Sequence, residues 1–460
     1  MQTPDLSTSP RAVWRLTWPQ MLMMYVMFIM TLVPVWTAGR LGADVQAALG
    51  MVTQCSLFLT VLSMGLASGA TAAVSQAMGA LRLRRAGLYI ATTLLISVLL
   101  GVLMGACGIF FADGILDMVR IPDRVVPVAR ELLTIFMLGL PFAYVYAATG
   151  VIFRSTRQVI PPLVVSAVLA VVHAIFCIGT GLGLGGLPDW GYLGIAWASV
   201  AGNVLGSVIN CCLLIRAGHL KRATLPRLRW LKKGLPYLVR VAVPAGFASL
   251  VWQSGYLVLF ILVASVPFES VSALAGLTAG LRIEGFLFMP AMAFNMTASV
   301  LVGNCLGACK EDEAKRVSLS LLRTAVVLMS ILAVFIWPFR EDLAALLSTE
   351  PGTRQYIVSY LFYNLISTPF SIASTVLGGV MVGAGATQLN LMVFGGSFWL
   401  IRLPLGYVLG HLVWGNASGV FCAMLISQVL QTLAMLAVFF RVRWMDHAMR
   451  ARSAKKRNGS

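Results

Sequence analysis

Four side chains in this 460-residue chain sit where their chemistry is expensive. Glu284 is the one acidic residue of sixteen that falls deep inside an apolar run, Arg282 and Arg402 lie in such runs too, and His173 is the histidine at similar depth. An ionisable group at hydrocarbon depth faces a cavity or a partner, which makes each of these a candidate functional residue. A carboxylate there can exchange a proton or an organic cation, and an arginine can hold an anion or a carboxylate. An imidazole, which ordinarily titrates near pH 6.5, can carry a proton cycle.

Arg282 and Glu284 are two residues apart, about 200° around a helix, and should not pair with one another. Arg402 could approach Glu284, which leaves two readings open: a structural ion pair, or a carboxylate that binds what the protein moves. His173 is either a proton carrier or a core histidine satisfied by a hydrogen bond. Gln253, Asn295 and Asn203 are polar groups in apolar runs, able to orient a ligand or to bond a neighbouring helix. Met289, with Met292, Met296, Phe286, Phe288 and Phe294, could line an adaptable apolar cavity or face lipid.

These side chains need elements to hold them, and the composition says which. Of the residues 59% are hydrophobic and 11% charged, with a mean hydropathy of +0.88. A soluble domain carries about 25% charged residues, so a soluble enzyme, a disordered chain and an ordinary nucleic-acid binder are excluded. Apolar segments fall at about 14–38, 46–78, 87–111, 131–153, 159–182 and 191–215, then 237–265, 271–305, 318–339, 355–383, 389–412 and 415–440. Each is long enough to cross a bilayer as a helix, and no alternating barrel pattern appears. The fold class is therefore an all-α polytopic membrane protein with about twelve spans.

The formal charge of +18 is not spread evenly. Arg82, Arg84 and Arg85 sit in the second connection, and Arg154 and Arg157 in the fourth. Arg216, Lys221, Arg222, Arg227, Arg229, Lys232, Lys233 and Arg240 fill the sixth. The tail adds Arg441, Arg443, Arg450, Arg452, Lys455, Lys456 and Arg457. Odd connections are neutral or negative, with Asp113, Asp117, Asp123 and Glu131 in the third. The eighth connection, Lys310 to Arg316, balances its bases with acids. Basic loops stay in the cytoplasm, so both termini and the linker are expected there, in a cell-membrane protein.

A basic linker at 217–236 divides the chain into halves, 1–216 and 237–440, followed by a basic tail, 441–460. The halves resemble one another. Between 56–86 and 284–314 a constant offset of 228 gives eight identities, among them Met64/Met292, Gly79/Gly307 and Ala86/Ala314, and it also pairs Pro141 with Pro369. Six spans is an even number, so both halves keep one orientation. Parallel repeats around an axis along the membrane normal are typical of transporters.

Other motifs carry no weight. Gly181, Gly183 and Gly186 satisfy GxGxxG with no strand before them. The eight cysteines form no CxxC pair, so neither a disulfide framework nor a zinc site is expected. No phosphate-binding GxxxxGK[ST] loop or hydrolase motif occurs, and the chain is not expected to be an enzyme.

Gly39-Arg-Leu-Gly42 after span 1 and Ser75-Gln-Ala-Met-Gly-Ala80 after span 2 resemble the multidrug and toxic compound extrusion family. In the second half Arg282-Ile-Glu284, Met289-Pro290, Leu301 to Ala308, Gly379 to Gln388 and Trp399 to Pro404 agree with it. The resemblance covers nearly the whole chain. It implies two six-helix bundles related by a pseudo-two-fold axis, and cation-driven export of organic compounds.

The departures are informative. Where the family often places an Asp in span 1, this chain has Pro34; its span 7 Glu falls near Trp252-Gln253, and an acid of span 10 near Ser371. In span 5 a common Asp aligns with His173 and its upstream Asn with Leu169, while a span 6 Thr aligns with Ser199. The usual coupling carboxylates are missing.

The resulting expectation is a secondary active exporter of small amphiphilic compounds, working by alternating access as a monomer in the bilayer. It needs no cofactor beyond a proton or sodium gradient, and proton is favoured. The alternative is a flippase of a lipid-linked precursor or other amphiphile, since few membrane acids and two membrane arginines would suit an anionic headgroup.

Overall fold

The computed structural model describes residues 9–119, 124–220 and 228–449. Asp123, the linker residues Lys221, Arg222 and Arg227 with the side chain of Arg229, and the tail residues Arg450, Arg452, Lys455, Lys456 and Arg457 lie outside the described residues. Among the described residues the regular structure is helical throughout. In chain order it runs α1 (Pro10–Leu41), α2 (Ala43–Gly79), α3 (Leu83–Phe110), α4 (Ala112–Val119), α5 (Val126–Ser155), α6 (Ile160–Leu182) and α7 (Tyr192–Arg216). The series continues with α8 (Leu228–Ala264), α9 (Ser270–Gly307), α10 (Glu311–Ile336), α11 (Arg340–Leu347), α12 (Pro351–Ala384), α13 (Thr387–Gly396), α14 (Leu403–Tyr407) and α15 (Ala417–Arg441). Among the described residues twelve stretches are long and apolar enough to span a bilayer. The chain is an all-α, multi-pass membrane protein.

Several helices outrun the apolar segments that locate them. α8 begins at Leu228, inside the stretch that reads as linker, and α10 begins at Glu311, on the charges of the eighth connection. Charge marks where the hydrocarbon ends, but it does not end a helix. Lys, Glu and Arg are good helix formers, and their heads are solvated once past the membrane. The short helices α4 and α11 also escape a search for spans, being eight residues each.

The offset of 228 now aligns elements as well as residues. Shifted by it, α4 lands on α11 residue for residue, and α2, α3 and α5 land within three residues of the ends of α9, α10 and α12. Contacts divide the chain into one unit holding Trp18–Gly246 and another holding Phe247 onward with the start of α1. In the first unit α5 packs against α2, α3 and α7. In the second, its counterpart α12 packs against the corresponding α9, α10 and α15. The buried clusters follow: Leu132, Leu133, Met137 and Tyr144 of α5 in one unit, Tyr356, Ile357, Tyr360 and Leu361 of α12 in the other.

Helices in lipid associate through close backbone packing and hydrogen bonds, since their surroundings are as apolar as their cores. The α9–α12 pair meets both conditions. A Cβ on Gly379 or Gly383 would collide with the carbonyl of Asn295 or Ser299, so only glycine permits this approach. The Asn295 side-chain amide, Nδ2, donates to the Thr375 carbonyl at 2.7 Å across the same seam.

Candidate functional site

In the second unit, α9 carries Glu284 to a group of polar side chains that meet from four elements. The carboxylate is half-buried and accepts a hydrogen bond from the Tyr360 hydroxyl of α12. Asn364 lies one turn further along α12, near the carboxylate. An i, i+4 pair lies on one helix face, so α12 turns both side chains the same way.

Arg402 stands nearby without touching the carboxylate. It is 3% exposed and ends a π-helical turn, Ser397–Arg402, that interrupts the helix between α13 and α14. π-Helical turns are rare and occur often at functional sites. Here the turn puts the guanidinium 4.5 Å above the Phe398 ring. Its Nε donates to the Ser427 hydroxyl at 2.9 Å and Nη2 to the Gln428 side-chain carbonyl at 2.7 Å, both on α15. The Tyr256 side chain of α8 lies close by. Gln428 and Gln431 both donate to the Ser374 hydroxyl at 3.1 Å, which ties α15 back to α12. Arg402 therefore acts on Glu284 through its field and not through a direct bond. Among the described residues the two make no contact ion pair.

Beside this group stands an aromatic wall. The ring centroids of Trp252, Tyr256 and Phe398 lie 5.0 to 5.7 Å apart in pairs. A hydrogen-bonded carboxylate next to aromatic faces is chemistry suited to a proton, or to an organic cation that pairs with the charge and stacks on the rings.

The other residues singled out in the sequence lie apart from that group or serve packing. Arg282 is exposed, as expected for a position about 200° from Glu284. Asn295 is engaged in the α9–α12 seam. Met289 is half-buried, about 7.5 Å along the α9 axis from Glu284. Gln253 is half-buried on α8 beside Trp252.

In the first unit, His173 of α6 is 5% exposed, and its Nε2 lies 3.4 Å from the Ser199 hydroxyl of α7. Ser199 in turn donates to the Ile195 carbonyl at 3.1 Å. With the hydroxyl proton directed to that carbonyl, the tautomer protonated at Nε2 would donate to Ser199. Asn203 is half-buried one turn beyond Ser199, on the same face of α7. His173, Ser199 and Asn203 thus share the α6–α7 region, while Glu284 and Arg402 share the other unit.

Sequence reasoning missed Tyr256, Tyr360, Asn364 and Phe398. The available signal was the Tyr360-x-x-x-Asn364 spacing, two polar groups on one face of an otherwise apolar span.

Comparison with known proteins follows the same division into halves. Residues 19–178 and 244–408 match the family model described as MatE. The chain is 24% identical over 411 residues to the probable multidrug resistance protein YoeA of Bacillus subtilis, covering 88% of each chain. It is 26% identical over 414 residues to Protein DETOXIFICATION 36 of Arabidopsis thaliana, covering 88% of this chain and 80% of that one. Among solved structures, the MATE transporter VcmN of Vibrio cholerae superposes with a TM-score of 0.86 at 18% identity, covering 93% of this chain and 95% of that chain. At that identity the superposition speaks for the fold alone.

Proposed function

This chain belongs to the MatE family, whose members are membrane transporters rather than enzymes, and on that premise we propose that it is a proton-driven exporter of organic compounds working by alternating access. The observation that carries this reading is Glu284: a carboxylate in mid-span, held by the Tyr360 hydroxyl, with no cation in direct contact among the described residues.

An antiporter needs one acceptor that holds either its driving ion or its substrate. The Tyr360 hydroxyl keeps the carboxylate oriented, and its remaining lone pairs stay open to a proton or an organic ammonium group. Arg402 biases that choice at a distance. Its positive charge lowers the affinity of the site for any second cation, which makes a captured substrate easier to release. The wall of Trp252, Tyr256 and Phe398 supports substrates that are apolar as well as charged.

Sodium fits this environment poorly. Hard cations collect several oxygen ligands, and the cluster offers one carboxylate whose bonded partner, the Tyr360 hydroxyl, donates to it. Purified protein in proteoliposomes, given independent proton and sodium gradients, should move a fluorescent organic cation in response to the proton gradient alone. Transport driven by sodium with no response to pH would overturn the assignment.

The Lys/Arg asymmetry supports cytoplasmic termini. Single cysteines placed at Ala217 and at Asp189, in a background without native cysteines, test it on whole cells. An impermeant maleimide should label the second position and spare the first; the reverse pattern would refute the orientation.

A further inference from the structure

We propose that the turn between α2 and α3, together with the start of α8, is a binding site for the phosphate headgroup of an anionic phospholipid. The site is a cavity of about 660 Å³ lined by Leu81, Arg82, Arg84, Arg85, Trp230 and Lys233, with Leu83 and Leu88 completing it. Four of the lining residues are cations and none is acidic. Among the described residues none of the four is paired with a carboxylate.

Two buried donors sharpen the case. Arg85 Nε and Trp230 Nε1 are both out of solvent and have no hydrogen-bond acceptor. The Arg85 guanidinium is held between rings, 5.9 Å from the Tyr89 centroid and 6.0 Å from that of Trp230, whose own centroids are 5.4 Å apart. A buried N–H without an acceptor is unfavourable, and two beside unpaired cations suit a group that brings several acceptor oxygens and negative charge.

The internal repeat supplies an independent control. The corresponding turn of the second half shares the backbone: Leu81 and its counterpart Cys309 both adopt positive φ, 55° and 61°. It does not share the charge. Where α3 opens with Leu83-Arg84-Arg85, α10 opens with Glu311-Asp312-Glu313. Acids at a helix N-terminus agree with its dipole, and arginines oppose it. The second-half turn also satisfies its own cation, with Lys310 Nζ 2.9 Å from Glu313. The fold therefore has no need of cations at this turn, and the first half carries them against the helix field. A bound anion reverses the sign, because it gains from the exposed N–H groups of α3 and from the four cations together.

The ligand is a lipid rather than a free ion because of what surrounds the charge. Leu81 is 57% exposed, Leu83 and Leu88 line the same cavity, and Trp230 is the kind of amphipathic ring that sits at headgroup level. The site lies where three spanning helices end, on the membrane face that carries the basic connections. Basic pockets between spanning helices on that face are suited to anionic headgroups. The chain's own tail is basic and cannot be the complement.

Native mass spectrometry on the full-length protein tests the proposal, comparing retention of phosphatidylglycerol with that of phosphatidylcholine. Each cation near an anionic lipid contributes about fivefold in affinity, so Arg84→Gln with Arg85→Gln should weaken phosphatidylglycerol binding by about 25-fold. Lys233→Gln, on a separate element, should cost about fivefold and serves if the double variant does not fold. Lys315→Gln with Arg316→Gln, in the first turns of α10 just after the equivalent turn of the second half, should change nothing. Equal retention of the two lipids, or wild-type retention of phosphatidylglycerol by both cavity variants, would overturn the site. Displacement of bound phosphatidylglycerol by millimolar glycerol 3-phosphate would reassign it to a soluble anion.

Discussion

Glu284→Gln should reduce gradient-driven export by about 100-fold or more, the scale on which a group that transfers protons contributes. Glutamine has nearly the same shape and can still accept from Tyr360, so the local geometry survives. What disappears is the ability to take up and release a proton, and with it the competition between proton and substrate.

The structure makes this variant a clean test because Arg402 makes no contact ion pair with Glu284. Its guanidinium is bonded to Ser427 and Gln428, both neutral, and those bonds remain when the carboxylate is replaced. Had the two formed a contact pair, the variant would leave a buried charge orphaned at a cost of about 3–5 kcal/mol. The detergent-solubilised variant should accordingly melt within a few degrees of wild type while its transport in proteoliposomes is lost. Retained proton-driven transport would remove Glu284 from the mechanism. Loss of folded protein, recovered by adding Arg402→Gln, would make the residue structural.

What the sequence reveals and hides follows from how each feature is encoded. Spans are legible because roughly twenty consecutive apolar residues are required at each crossing, whatever the tertiary partners. The repeat is legible because glycines such as Gly79 and Gly307 recur at one offset, and the aligned helices α4 and α11 extend it to segments too short to be read as spans. Glu284 and Arg402 stand out because charge in an apolar run has no neutral explanation.

Their surroundings do not stand out. Tyr360 is 76 residues from Glu284, and a tyrosine in a span looks like any other core or interfacial aromatic until the partner helix is placed. Arg402 was expected near Glu284, yet a π-helical turn sets which neighbours its guanidinium meets, and no spacing rule for an ordinary helix anticipates that. Asn295 shows the opposite limit. Its position suggested a ligand contact or a helix bond, and only the close approach of α12 at Gly379 shows that its amide is spent on Thr375.

His173→Gln should lower the acceleration of export by external acid about tenfold while leaving Glu284-dependent transport in place. The position is unusual in kind. Pro34 and Leu169 leave no acid or amide at their positions, yet the α6 position carries a group that can titrate. A histidine cycles between neutral and positive, where a carboxylate cycles between negative and neutral. If a cationic substrate passes close to His173, the sign of the effect follows: a proton arriving from outside makes the imidazole cationic and pushes the substrate away, which promotes release on the acid side. Two unit charges 5–6 Å apart at an effective dielectric of 20 repel by about 3 kcal/mol, and partial hydration of an open cavity brings that down to about one decade in rate. Glutamine can still donate to Ser199, which His173 Nε2 meets at 3.4 Å, so packing and the local bond are kept and only the titration is lost. The measurement is efflux from proteoliposomes at a fixed internal pH with the external pH stepped from 8 to 6. A variant that responds to that step as wild type does would make His173 a packing residue, with Glu284 as the single proton carrier.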